Sequence, residues 1–309
     1  MRTKAAISDP TPEPERRPPA RRESTPPPPS RAGGRRFELS SPDWLWLGAL
    51  AALAAWIWLR DRAWLSAAEE VLPIVAALPL FAWLGAPWCF RADAFSLHRP
   101  TLALAGACLV AGIAGNLTLL LALAWTAALW SWLRQRLAPD QILRAHRLLV
   151  LPLMAFPWVT LDGATLSWWF RLSAAWATAG LFHLIGFSVA REGTQLLVQG
   201  LPVSVDASCS GLKVLQAMLI AGTIIAFLQL GRTRSYWWSL PCLIGMAWLA
   251  NTLRVLTLSA TALSFGSEFA AGWFHAWGGW FVLVLMFALC WAVFALWRRA
   301  AAVPQGQPA

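Results

Sequence analysis

The chain has 309 residues, 58% of them hydrophobic and 13% charged. A soluble domain carries roughly 25% charged residues, so a soluble globular class is excluded, and 22 tryptophans against one tyrosine point to a membrane–water interface, where the Trp ring sits half solvated. The formal net charge of +10 sits in tails and short loops beside apolar runs, which reads as orientation signals and not as a nucleic-acid footprint.

Residues 1–41 are rich in Pro and Arg and include Pro26-Pro-Pro-Pro29, with few apolar side chains to bury, so a disordered cytoplasmic tail is expected. No short apolar stretch follows the first basic residues, as a secretory signal peptide would require. From Trp44 on, apolar runs follow one another, and a spanning helix needs about 20 such residues. Residues 44–59 are the first candidate; residues 71–90 are the second, interrupted by Pro73, Pro79 and Pro87. Residues 101–133 are too long for one ordinary span and hold Gly112, Gly115 and Asn116 near their middle, which predicts a hairpin of two short helices. Residues 146–159 form the next run. Residues 166–187 are apolar but carry Ser167, Arg171 and Thr178 at helical spacing, plus His183. That stripe suits an amphipathic helix lying at the interface or lining a cleft; a bundle-facing span is the alternative. Residues 212–230, 237–263 and 273–297 are the last three spans, and residues 300–309 form a short cytoplasmic tail.

Cytoplasmic segments carry the Lys/Arg excess. With the hairpin, and with 166–187 not crossing, Arg91, Arg99, Arg134, Arg136, Arg144, Arg147, Arg232, Arg234, Arg298 and Arg299 all fall inside. A single helix through 101–133 with a crossing 166–187 puts the 134–147 cluster outside, against that rule. The expected fold class is therefore all-α: a polytopic transmembrane helical bundle of about eight spans over residues 42–299. Both arrangements place the loops 191–210 and 264–272 outside.

Five cysteines are present, and Cys89, Cys108, Cys242 and Cys290 lie in apolar stretches and read as small buried hydrophobes. No spacing resembles a zinc site or a disulfide framework, and the four histidines are scattered, so no metal or cofactor is expected. Cys209 differs. It sits in Asp206-Ala-Ser-Cys209-Ser210-Gly-Leu-Lys213, a polar stretch that opens into an apolar helix. The free amides at a helix N-terminus lower a thiol pKa, and the thiolate is the nucleophilic form; the same residues also suit a plain turn leading into a helix. Arg254, in Asn251-Thr-Leu-Arg254, lies inside an apolar run toward its outer end, where insertion costs about 2.5–3.5 kcal/mol at a span centre. Asn251 shares its helical face one turn away. Their alternative is a structural partnership with backbone carbonyls. His275, in Trp273-Phe-His275-Ala-Trp-Gly-Gly279, starts the last span on the outer side, and histidine is the usual base for a reactive thiol. Taken alone, His275 reads as an interfacial histidine with no reactive role; up–down packing of three consecutive helices can bring it to one external cleft with Cys209 and Arg254.

On these residues the stretch 152–281 resembles the exosortase/archaeosortase family of multipass membrane cysteine transpeptidases. The matching motifs are Arg191-Glu-Gly193, Cys209-Ser-Gly-Leu-Lys213, Asn251-Thr-Leu-Arg254-Val255, and Phe274-His275 followed by Gly278 or Gly279. The family pattern has Ala before the cysteine and Arg after Gly-Leu/Ile; here Ser208 and Lys213 stand in those places. The first 150 residues resemble the family only in being membrane spans.

The resemblance implies an enzyme of the bacterial cytoplasmic (inner) membrane with its active site on the periplasmic face. Its partners are secreted proteins with a C-terminal tripartite signal: a short motif such as Pro-Glu-Pro, a transmembrane helix and a basic cluster. Cys209 is then the nucleophile that forms a thioester, His275 the general acid/base, and Arg254 the oxyanion or substrate-holding group. Asn251, Ser210 and Arg171 are candidate substrate contacts, and exopolysaccharide production is the linked process. The competing classes are a multipass transporter using Arg254, Arg171 and His183 as pathway charges, and an exopolysaccharide assembly or export subunit without a cysteine nucleophile.

Overall fold

The computed structural model describes residues 40–66, 68–91, 95–204, 211–269, 272 and 275–302. The expected N-terminal tail, apart from its last two residues, lies outside the described residues. So do Cys209 and Ser210, and residues 303–309 of the C-terminal tail.

The molecule is helical in chain order: α1 (Ser41–Arg60), a 3-10 turn (Ala63–Ser66), α2 (Ala68–Gly85), α3 (Arg99–Ala114), α4 (Thr118–Arg136), α5 (Pro139–Arg147), α6 (Val150–Met154), α7 (Trp158–Leu161) and α8 (Ala164–Leu184). A three-stranded antiparallel meander follows, β1 (Val189–Glu192), β2 (Gln195–Val198) and β3 (Leu201–Ser204). Then come α9 (Leu212–Leu230), α10 (Tyr236–Phe265), α11 (Ser267–Phe269) and α12 (His275–Ala302). The all-α expectation holds apart from the meander, which it missed.

The predicted hairpin is present. Helices α3 and α4 pack on each other across a turn in which Asn116 takes φ 54°, and Gly112 lies so close to Leu121 that an added Cβ would meet its Cδ2 at 2.8 Å. Among the described residues four helices are long and apolar enough to cross a membrane: Ser41–Arg60, Leu212–Leu230, Tyr236–Phe265 and Trp277–Ala301. About eight were expected. The difference has local causes. Two apolar helices, Val71–Gly85 and Arg99–Ala114, are shorter, and α4 ends in Arg134 and Arg136. The run 146–159 is not one helix, because Pro152 and Pro157 interrupt it and leave α6 and α7 as single turns.

That broken segment runs from one end of the molecule to the other. At its start Arg147 donates through Nη1 to the Gly231 carbonyl and through Nη2 to the Thr233 carbonyl at 2.8 Å, beside the C-terminus of α9. At its end an added Cβ on Gly163 would meet Leu212, at the N-terminus of α9. Irregular backbone at membrane depth is tolerated only inside protein, and Leu151, Pro152, Met154, Ala155 and Phe156 are accordingly buried.

The same contacts fix two ends. Arg136, Arg144, Arg147 and Arg232 gather with the C-termini of α4, α5 and α9, and α12 delivers Arg298 there. This arginine-rich end is tied by a buried ion pair. Asp43 accepts from Trp132 Nε1 and Arg136 Nε, both at 2.8 Å, and Arg136 Nη2 also reaches it. Both groups are nearly inaccessible, so the N-terminus of α1 and the C-terminus of α4 close together.

At the opposite end α10 outruns α9. Helix α9, with 19 residues, is about 28 Å long, whereas α10, with 30, is about 45 Å. Asn251, near the middle of α10, is already level with Gly211 at the start of α9. The part of α10 beyond it is flanked by α8 and the meander, through a cluster of Ala174, Ala175, Phe182, Leu196, Val198 and Val255. Helix α8 therefore climbs along α10: Trp248 Nε1 donates to Ser173 Oγ at 2.9 Å, and further on Phe182 and Leu263 share one cluster.

Candidate active site at the N-terminus of α9

The chain enters α9 through Gly211, which has φ 75°. An L-residue is strained there. Space also demands glycine: a Cβ would lie 2.7 Å from Asn251 Cγ and 3.0 Å from its Cβ. The backbone that follows Cys209 and Ser210 is therefore pressed onto Asn251 of α10.

Asn251 is fully buried, and among the described residues neither its Oδ1 nor its Nδ2 has a hydrogen-bond partner. A buried amide left this way costs about 1–3 kcal/mol per unsatisfied group. Such a group in a native fold calls for a cause: strain, a bound water, ion or ligand, or a catalytic task. One helical turn on, Arg254 is half-buried and lies against α12. A Cβ on Gly279 would sit 3.3 Å from both Arg254 Cζ and Nε. Gly279 is four residues, or one turn, after His275, the first residue of α12. The glycine removes the side chain that would hold the guanidinium away from that helix.

Three elements thus converge: the N-terminus of α9, the middle of α10 and the first turns of α12. Apolar packing below holds them in register, with Leu215 and Met218 of α9, Met246, Ala247 and Ala250 of α10, and Val282, Met286 and Cys290 of α12 in one core. Asn251 therefore lies beside the residue that follows the cysteine loop, and Arg254 beside the second turn of α12; the expected cleft of Cys209, Arg254 and His275 falls partly outside the described residues. Cys209 and Ser210 lie outside the described residues; His275 begins α12, and its side chain is not described.

Arg171 belongs to the α8 stripe. Ser167 and Thr178 on that stripe are buried, and Arg171 is half-buried. Arg171 lies 5.7 Å from the Trp168 ring, and its Nε is buried without a partner, as is Thr178 Oγ1. The stripe therefore faces protein, as both a cleft-lining helix and a bundle-facing span require. The motif Arg191-Glu-Gly193 forms the end of β1 and its turn, where Arg191 Nη1 donates to the Gly193 carbonyl at 3.0 Å. The meander leads the chain from α8 back to the cysteine loop.

The other candidates separate from this site. His146 stacks between Trp130 and Trp237, each 5.0 Å away, beside Arg147 at the arginine-rich end. His183 is exposed near the end of α8. Of the four cysteines expected to be buried, Cys290 is, Cys108 and Cys242 are half-buried, and Cys89 is exposed. Cys89 follows the end of α2, and its N–H donates to Gln141 Oε1 at 2.8 Å. The contacts of Gly211 with Asn251 and of Gly279 with Arg254 give these two motif glycines a physical role.

A family model for the transmembrane exosortase matches residues 46–292. The match reaches well beyond the motif-bearing stretch 152–281 and includes most of the first 150 residues. No curated protein and no solved structure matches.

Proposed function

Because the chain belongs to the transmembrane exosortase family, we propose that it is a membrane cysteine transpeptidase acting on C-terminal sorting signals of secreted proteins, with Cys209 as nucleophile. The observation that carries this reading is the convergence on α10: Gly211 against Asn251 and Gly279 against Arg254. Three separate motifs are thereby brought near one another, which supports a site built from a nucleophile, a base and a cationic clamp.

In the proposed reaction the Cys209 thiolate attacks the carbonyl carbon of a peptide bond near the sorting motif. The developing oxyanion is stabilised by Arg254, and the bond to the leaving amine breaks as that amine takes a proton from His275. The C-terminal helix departs, and the remaining protein stays as a thioester on Cys209. An acceptor amine, or water, then attacks the thioester and gives its proton to His275, and the bond to sulfur breaks, which regenerates the Cys209 thiolate and the protonated His275. The unpaired Asn251 amide suits a substrate backbone group, which both donates and accepts; Arg171 and Ser210 are further candidate contacts.

Location supports the same reading. Arginines concentrate at the end opposite the site, and the Lys/Arg-rich side of a membrane protein is cytoplasmic. The site then opens toward the periplasmic face, where α10, α8 and the meander project beyond α9. A substrate helix diffusing in the bilayer docks beside the bundle with its motif at that level.

The test is processing of a secreted reporter that carries a sorting motif, a transmembrane helix and a basic cluster. Cys209→Ala, Arg254→Ala and His275→Ala should each leave the precursor uncleaved. Maturation of the reporter by the Cys209→Ala protein would assign the chain to the transporter or export class instead.

A further inference from the structure

We propose that a cleft at the arginine-rich end binds the phosphate of an anionic phospholipid from the adjoining leaflet. The cleft has a volume of about 820 Å³ and lies between α5, the C-terminus of α9 with its following turn, and the C-terminal part of α12. Arg144, Arg147, Arg232 and Arg298 line it, against a single carboxylate, Asp140. Among the described residues none of these arginines is paired with a carboxylate. Four guanidinium groups around one cleft repel each other unless an anion joins them.

Orientation alone explains arginines on this side of the membrane, but not their convergence from three distant stretches of chain onto one concavity. Two further features point to a ligand. Among the described residues Arg147 Nε and Gln229 Oε1 are buried without partners, a donor for a phosphate oxygen and an acceptor for a headgroup hydroxyl or ammonium. Arg147 is held in place: its two terminal nitrogens bind the Gly231 and Thr233 carbonyls, which leaves the Nε–H unused. Beside the charges, Leu143, Phe227 and Leu228 give the cleft an apolar wall, and both leucines are about half exposed. A free phosphate has no use for that wall, whereas a lipid lays its glycerol and acyl carbons along it. Basic pockets between helix ends on this side of a membrane suit anionic headgroups.

This inference does not depend on the transpeptidase reading, since it uses none of its residues. The full chain, purified in detergent, is mixed with phosphatidylglycerol in an excess of phosphatidylcholine, and retained lipid is read by native mass spectrometry. One phosphatidylglycerol per chain is expected. Arg232→Gln with Arg298→Gln should weaken its retention roughly thirtyfold, while Arg134→Gln with Arg299→Gln, an equal charge change at the same end but off the cleft, should leave it unchanged. Equal weakening by both pairs would reduce the effect to diffuse surface charge and overturn the proposal. Displacement of the lipid by millimolar inorganic phosphate would overturn it in favour of a free-anion site.

Discussion

Glycine at two positions determines how the site is held. Gly211 combines a left-handed backbone with a contact that leaves no room for a methyl group. Gly200, in the turn between β2 and β3, has φ 81° but nothing within 4 Å of a new Cβ. Gly200→Ala should therefore cost about 1–2 kcal/mol of stability from backbone strain and leave reporter processing intact. Gly211→Ala should add the steric push on Asn251 and lower processing by on the order of a hundredfold, as small misplacements of a reacting group do. Comparing cleavage rates of the two variants at matched membrane levels checks this. Asn251 makes the complementary case. Its buried amide is unsatisfied, so Asn251→Leu, similar in size, should leave the melting temperature unchanged or raise it by a few degrees while processing falls. A marked drop in melting temperature would make Asn251 a structural residue. Asn251 and Arg254 stood out as candidates in the sequence because polar groups in an apolar run are conspicuous. Gly211 and Gly279 did not, because a glycine reveals its reason only when the neighbour it admits is known.

Among the elements, α1 and α4 show how this bundle closes a charged end. Asp43 is fully buried, caps α1 and receives Trp132 and Arg136 from α4. Removing one partner strands the other charge in protein, so Asp43→Ala should cost about 3–5 kcal/mol, measured by unfolding in detergent. Asp43→Leu with Arg136→Leu should cost much less than either single change, because no lone charge remains. The sequence showed the α3–α4 hairpin through Gly115 and Asn116, and the α8 stripe through its 3.6 period. It did not show the meander, whose strands are four residues each and are bounded by Gly193 and Gly200 within a stretch already taken for a loop. Nor did it show that residues 147–163 cross the molecule as broken turns. Their apolar composition is that of a helix, and only burial against α2, α4 and α9 makes the irregular backbone tolerable.

For the whole molecule, the architecture has two distinct ends along one axis: most of the arginines at one, and the convergence of α9, α10 and α12, with Arg254, at the other. The contact of Arg147 with Gly231 and Thr233 puts α5 on the same side as the α9–α10 turn. A reporter fused within residues 135–141 should accordingly give a cytoplasmic signal, and one fused in 193–194 a periplasmic one; both on the same side would contradict this axis. The central claim is narrower, that Cys209 carries the substrate as a thioester. The most direct measurement is mass spectrometry of the full chain, acid-quenched during turnover of a substrate with a tripartite C-terminal signal. The account predicts a substrate adduct on the peptide containing Cys209, released by hydroxylamine and missing in Cys209→Ala. Release of the substrate tail by the Cys209→Ala protein, or an adduct mapped to another residue, would contradict it.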